Sequence, residues 1–226
     1  MLHIVKKVVK YIAGKTVRPL VVKYLSKQRG YRYKGIRLQV PQSVFHPAFF
    51  FSTRLLLRFL EKIEVKNKTF LELGAGSGLI AFATAARGGI VTASDINRTA
   101  VDYLRKNSIA NNIDINIIAS DLFDNIPVQC FDIIAINPPY YKKDPVNDSD
   151  RAWFCGENSE YFYRLFETIG GYLHADSEIY MILCEACDVP LIKKIALGNN
   201  YQFKLVMSRK KVFEMNYIFK IERISA

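Results

Sequence analysis

The stretch Phe131–Ile136 constrains the fold more than any other part of the chain, because its apolar side chains fall on both faces of an extended strand. Such a strand needs cover on both sides, the situation of a central parallel strand between two helical layers. The neighbouring segments alternate accordingly. Thr69–Leu73 reads as a short strand, Gly74–Gly78 as a glycine turn, and Leu79–Ala86 as a helix stopped by Gly88-Gly89. Ile90–Ser94 is a second strand ending at Asp95, and Asn97 caps a helix running to about Asn111. Ile115–Ala119 and Phe131–Ile136 are the third and fourth strands. Tyr161–Leu173 and Val189–Leu197 are predicted helices flanking a strand at Glu178–Leu183. Two final strands, Phe203–Met207 and Val212–Ile221, are separated by Ser208–Lys211. The expectation is an α/β fold: a doubly wound, mostly parallel sheet with an antiparallel C-terminal edge.

A length of 226 residues, half of them apolar, suits one such domain with a modest appendage. Charge marks the appendage. Residues 1–60 hold 13 Lys or Arg and no Asp or Glu, so the whole net charge of +11 originates there. A field localised in this way attracts a polyanion such as RNA, or an anionic membrane surface. The reading is therefore a basic N-terminal arm over residues 1–35 and a catalytic domain over 36–226, with 36–67 as a lead-in segment. Within the arm, Val5, Val8, Val9 and Ile12 have helical spacing with lysines opposite. Tyr31, Arg32, Tyr33 and Lys34 interleave aromatics with cations, which suits stacking on RNA and equally suits an edge strand. Ile36–Val40 alternate as a strand, and a helix is expected over Ala48–Ile63. Four scattered cysteines exclude a disulfide framework, and no apolar stretch is long enough to span a membrane. No signal-peptide core is visible at the N-terminus, so the expected location is the cytoplasm.

Three features point to a bound adenosine. Glu72-Leu73-Gly74-Ala75-Gly76-Ser77-Gly78 lies between a strand and a helix, where glycines let the backbone approach a ligand closely. Asp95, followed by Ile96, ends the next strand and can accept both ribose hydroxyls. Asp121-Leu122 follows the third strand, where the carboxylate can accept from an adenine amino group while Leu122 packs on the ring. These residues do not choose between NAD and S-adenosylmethionine. Asn137-Pro138-Pro139-Tyr140 bears on the chemistry. The Pro-Pro pair brings no N–H, so the Asn137 amide oxygen and the Pro138 carbonyl can each accept one hydrogen of a planar NH₂ group. Held in this way, the nitrogen presents its lone pair to a methyl sulfonium while Tyr140 stacks on the planar group. Rate enhancement then comes from orientation and hydrogen-bond alignment.

On Glu72–Gly78, Asp95, Asp121-Leu122 and Asn137–Tyr140, residues from about 36 to 221 resemble the class I S-adenosylmethionine methyltransferases. More narrowly they resemble the branch of release-factor glutamine methyltransferases and "small domain" ribosomal RNA guanine methyltransferases. The resemblance implies a seven-stranded sheet, S-adenosylmethionine as methyl donor, and Asn137–Tyr140 as the clamp on the acceptor nitrogen, in a translation protein or in RNA. It also likens Val44–Thr53 to the lead-in segment that closes over the cofactor, making Thr53 a contact. Related glutamine methyltransferases carry a helical recognition domain where this chain has a short basic arm. Two other classes compete: an NAD-dependent oxidoreductase, which leaves Asn137–Tyr140 unexplained, and an RNA- or ribosome-binding module with a vestigial cofactor site. No metal is expected, since the Cys184–Cys187 pair has no second pair and the three histidines are scattered. Loop 141–158 is expected to order over the substrate, with Trp153 stacking on it or anchoring the loop.

Overall fold

A computed structural model describes residues 27–42, 44, 46–47, 51–146, 150–211 and 214–224. The helix read over residues 3–13 lies outside these, as do Phe45 and Ala48–Phe50. The described chain opens with a hairpin, β1 (Arg29–Tyr33) against β2 (Ile36–Val40). The expected division after residue 35 thus falls at the turn of this hairpin, and residues 29–33 are tied by backbone pairing to the segment after it. Alternating Ile36, Leu38 and Val40 are buried while Arg37 and Gln39 are exposed, so β2 lays one face on the domain.

Helix α1 (Phe51–Leu60) leads into a seven-stranded sheet with strand order β5-β4-β3-β6-β7-β9-β8. Its strands are β3 (Thr69–Leu73), β4 (Ile90–Asp95), β5 (Asn116–Ala119), β6 (Ile133–Ile136), β7 (Glu178–Cys184), β8 (Tyr201–Lys211) and β9 (Glu214–Arg223). Between them run α2 (Leu79–Ala85), α3 (Arg98–Asn111), α4 (Glu160–Thr168) and α5 (Val189–Gly198). Central strand β6 divides its side chains as its composition requires. Ile133 and Ala135 join the core beneath α1 to α3, and Ile134 and Ile136 join the core beneath α4 and α5. The predicted Asn97 cap is formed, its side chain accepting from the Thr99 N–H at 2.9 Å.

Two boundaries differ from the sequence expectation. The helix expected to reach Leu173 leaves α geometry after Thr168 and ends as a 3₁₀ turn over Ile169–Tyr172, where Gly170 and Gly171 weaken the α ladder. Ser208–Lys211, read as a separator, is strand throughout, with Lys211 paired to Glu214. The C-terminal hairpin forms one side of the sheet as expected, but the last strand enters between its neighbours. β9 pairs antiparallel with both β7 and β8, leaving β8 on the outside.

The order reverses between β3 and β6: from β3 the chain winds outward through β4 and β5, then returns to β6 on the other flank. The loops leaving the carboxyl ends of these two adjacent strands therefore part, and a crevice opens between them.

Candidate active site

A cavity of about 350 Å³ fills that crevice. Thr53, Glu72, Gly74, Ala75, Gly76, Asp95, Ile96, Asp121, Leu122, Asn137, Pro138 and Tyr140 all line it, so the lead-in helix and four strand ends meet in one pocket. Gly78 is the exception. It adopts φ 75° at the start of α2, and a Cβ there would come within 2.3 Å of Leu104 and 2.8 Å of the Phe82 ring. Its absent side chain allows α2 and α3 to pack closely; it does not face the cavity.

At the glycine turn, Gly76 has φ 52°, a conformation L side chains rarely adopt. This directs its N–H to Asp95 Oδ2 at 2.7 Å, while Asn97 N–H donates to Oδ1 at 2.8 Å. Asp95 lines the cavity, where a carboxylate suits the two hydroxyls of a vicinal diol. Burial raises the Asp95 pKa against these hydrogen bonds. Deeper in, Glu72 accepts the Ala81 N–H at 2.7 Å, and burial followed by the proximity of Asp95 pushes its pKa up to about 8. Glu72 is therefore mainly protonated at neutral pH.

The Asp121 carboxylate receives Arg164 Nη1 at 2.8 Å, with Arg151 Nη1 at 3.8 Å. Arg164 also bonds Asp124 at 3.0 Å, bridging α4 to the segment after β5. Tyr161, one turn earlier on α4, lines the same wall, its hydroxyl pKa raised by burial. Neither Tyr161 nor Arg164 was anticipated. Both lie in the stretch read as a helix, but no local pattern links that helix to Asp121 some 40 residues before it.

At the other end, Asn137 Nδ2 donates to Thr53 Oγ1 at 3.2 Å. That bond turns the amide so that Oδ1, fully buried, has no hydrogen-bond partner among the described residues. Ser94 Oγ, also on the cavity wall, is buried and unpartnered as well. Unsatisfied buried acceptors cost about 1–3 kcal/mol each and call for a donor. Tyr140 is largely buried with its ring 4.8 Å from that of Tyr141, and burial raises its pKa.

Residues 140–146 and 150–156 meet at this end. Tyr140 and Tyr141 N–H both donate to the Trp153 carbonyl, at 3.2 and 2.9 Å, and Cys155 N–H returns to Tyr141 O at 3.0 Å. Phe154, Pro145 and Arg151 thereby join the cavity wall, whereas Trp153 itself does not line it. Trp153 contributes its carbonyl to the fold of the loop. The Cys184 and Cys187 sulfurs are buried, reduced and 3.7 Å apart, and no metal-binding cluster of three or more His, Cys, Asp or Glu exists among the described residues.

Residues 38–154, just over half of the chain, match the methyltransferase small domain. The chain belongs to that family. Among relatives, a chain named as a protein N5-glutamine methyltransferase from Methanocaldococcus jannaschii is 42% identical over 108 residues, covering 47% of this chain and 52% of the relative. A release factor glutamine methyltransferase of Streptococcus pneumoniae is 31% identical over 161 residues, covering 66% and 57%. The chain thus spans about half the length of the curated relatives it matches. A T. thermophilus 16S rRNA N2-guanine methyltransferase, solved with S-adenosylmethionine and guanosine, superposes with a TM-score of 0.63 at 20% identity, covering 87% of this chain and 50% of that one. The E. cuniculi complex responsible for methylating a translation termination factor gives 0.62 at 22% identity, covering 80% and 99%. At such identities the likeness is one of fold, that of the class I methyltransferases. S-adenosylmethionine is the cofactor of this small-domain methyltransferase family, and the residues present fit it: a diol-accepting carboxylate, an apolar Ile96 and Leu122 flank, and a glycine turn open to close approach. Among the described residues no helix is long and apolar enough to cross a membrane.

Proposed function

We propose that this chain is an S-adenosylmethionine-dependent N-methyltransferase acting on a planar amide or exocyclic amino nitrogen, in a translation protein or in RNA. The reading rests above all on the buried, partnerless Asn137 Oδ1, an acceptor held by Thr53 on the wall of the adenosine-sized cavity. S-adenosylmethionine supplies an electrophilic methyl group on a sulfonium. Gly74–Gly76, Asp95 with Ile96, and Asp121 with Leu122 hold its amino-acid, ribose and adenine parts in turn. Asn137 Oδ1 and the Pro138 carbonyl accept the two hydrogens of the acceptor NH₂, drawing its lone pair out of conjugation and towards the methyl group. Tyr140 stacks on the planar group. No strong base would be required beforehand: as the N–C bond formed, the sulfonium S–C bond would break and release S-adenosylhomocysteine, and the nitrogen, made acidic by the new bond, would then give up its proton to solvent. The relatives named for glutamine and guanine methylation support both acceptor classes.

Labelled methyl donor incubated with extract from cells lacking the protein tests the activity, the label being traced to RNA or protein. Asn137→Ala should bind S-adenosylhomocysteine as wild type in calorimetry and lose roughly 100- to 1,000-fold in turnover. Asp95→Ala should lose cofactor affinity instead. Turnover retained in the Asn137 variant removes the clamp; RNA binding without any cofactor affinity makes the pocket vestigial.

A further inference from the structure

Cations near the acceptor end, half-buried at Lys211 and Arg54 and exposed at Arg58, Arg32 and Arg37, follow one path. At its start, Lys211 Nζ lies 5.0 Å over the ring of Phe51, in the first turn of α1, and feels the charge of Arg54. Phe51, Arg54 and Arg58 follow at i, i+3 and i+7, so they share one face of a helix about 15 Å long. That helix also carries Thr53, which holds the clamp amide. Past Arg58 the helix end meets the β1–β2 hairpin tip, where Tyr33 Oη and Lys34 Nζ bond Glu61 at 3.1 and 2.8 Å. On the exposed side of the hairpin, Arg32 and Arg37 are directly opposite each other in register. Like charges facing each other across a strand pair are destabilising. Neither has an ion-pair partner among the described residues, nor do Arg54, Arg58 and Arg209, the last on the same side of β8 as Lys211. Glu61 neutralises Lys34 alone, and Glu214, across from Lys211, forms no ion pair with it. A row of unpaired guanidinium groups calls for an anion extended along it, and a repeating one satisfies all of them together.

We propose that the face formed by Arg32, Arg37, Arg58, Arg54 and Lys211 binds the phosphodiester backbone of a single-stranded nucleic acid that delivers its base to the Asn137–Tyr140 clamp. This rests on the methyltransferase reading above and selects the nucleic-acid acceptor over the protein one. The planar acceptor is then a base with an exocyclic amine. Tyr140 supplies the stacking surface, and the track holds the strand on either side of the extruded nucleotide.

The test measures fluorescence anisotropy of a labelled 20-nucleotide RNA with the full chain as salt is varied, with an unlabelled DNA strand of the same sequence as competitor. Arg32→Ala/Arg37→Ala/Arg58→Ala should weaken binding and reduce the log–log salt slope by roughly 2, at about 0.7 per phosphate contact. Lys193→Ala/Lys194→Ala, on α5 across the sheet, should leave the slope unchanged. Competition by the DNA strand is expected, since the track reads phosphate. Removing Arg32 and Arg37 should leave Tm equal or higher, which separates lost contacts from lost fold. S-adenosylhomocysteine affinity is measured on the same samples. If wild type binds no cofactor, the underlying methyltransferase reading fails. If it binds cofactor but no RNA, or the triple variant keeps the wild-type slope, or labelled methyl enters protein equally well with both, the track is refuted.

Discussion

At the scale of single residues, the site depends on polar groups whose partners are fixed by neighbours distant in sequence. Thr53 and Asn137 are 84 residues apart, yet their 3.2 Å bond engages the amide nitrogen and leaves the buried oxygen without a partner among the described residues. Thr53→Val removes that acceptor and should lower turnover about tenfold with S-adenosylhomocysteine affinity unchanged, and Thr53→Ser should restore it; equal rates in both variants would contradict a positioning role. Glu72 gives a pH prediction. Its folded pKa of about 8 lies above its ordinary 4.5, so the folded state binds a proton that the unfolded state releases between those values. The stability this group contributes is fully present below about pH 4.5 and is lost as pH rises through 8. Unfolding free energy from urea titrations should therefore decline across that window in wild type and decline less in Glu72→Gln, which keeps a neutral side chain throughout.

At the scale of elements, the periodicities were legible and the ends were not. The strand–turn–helix from Thr69 to Ala85 is read directly from apolar spacing and glycine, and so is the Asn97 cap. Gly78 belongs to the same glycine run as Gly74 and Gly76, and only the approach of α3 through Leu104 separates its task from theirs. Gly78→Ala should destabilise the fold by about 1–3 kcal/mol through the positive φ and the clash with Leu104 and Phe82. The denaturation midpoint checks this, and a stability within 0.5 kcal/mol of wild type, about the scatter of neutral substitutions, would refute it. Loop 141–158 is read from the sequence as ordering over the substrate. Its closure depends on carbonyl and N–H groups that every residue has, so sequence alone did not reveal the Trp153 O contact.

Across the whole molecule, the two ends of the sheet carry different tasks. The carboxyl ends of β3 to β6 surround the cavity, while the amino ends of β3 and β6 are joined through Asp132. Its Oδ2 accepts both the N–H and hydroxyl of Thr69, at 2.7 and 2.8 Å, and its other oxygen lies 3.2 Å from His174 Nε2. The Thr69 bonds hold the Asp132 pKa below its usual value, so this stabilisation is present above the ordinary carboxylate pKa and lost as pH falls through the folded one. Asp132→Ala should cost about 2 kcal/mol at neutral pH with cofactor affinity unchanged. Paired thermal unfolding and calorimetry test that division, and a tenfold loss of affinity would sink it. The sequence by itself determined the wound sheet, the glycine turn, the acidic strand ends and the Asn-Pro-Pro-Tyr segment, because each is a local pattern of side-chain period or backbone restriction. Only the tertiary structure decided that Thr53 orients Asn137, that Arg164 grips Asp121, that Gly78 serves packing and that β9 lies inside β8. Those outcomes depend on which segments the winding brings together, and such contacts leave no period in the chain.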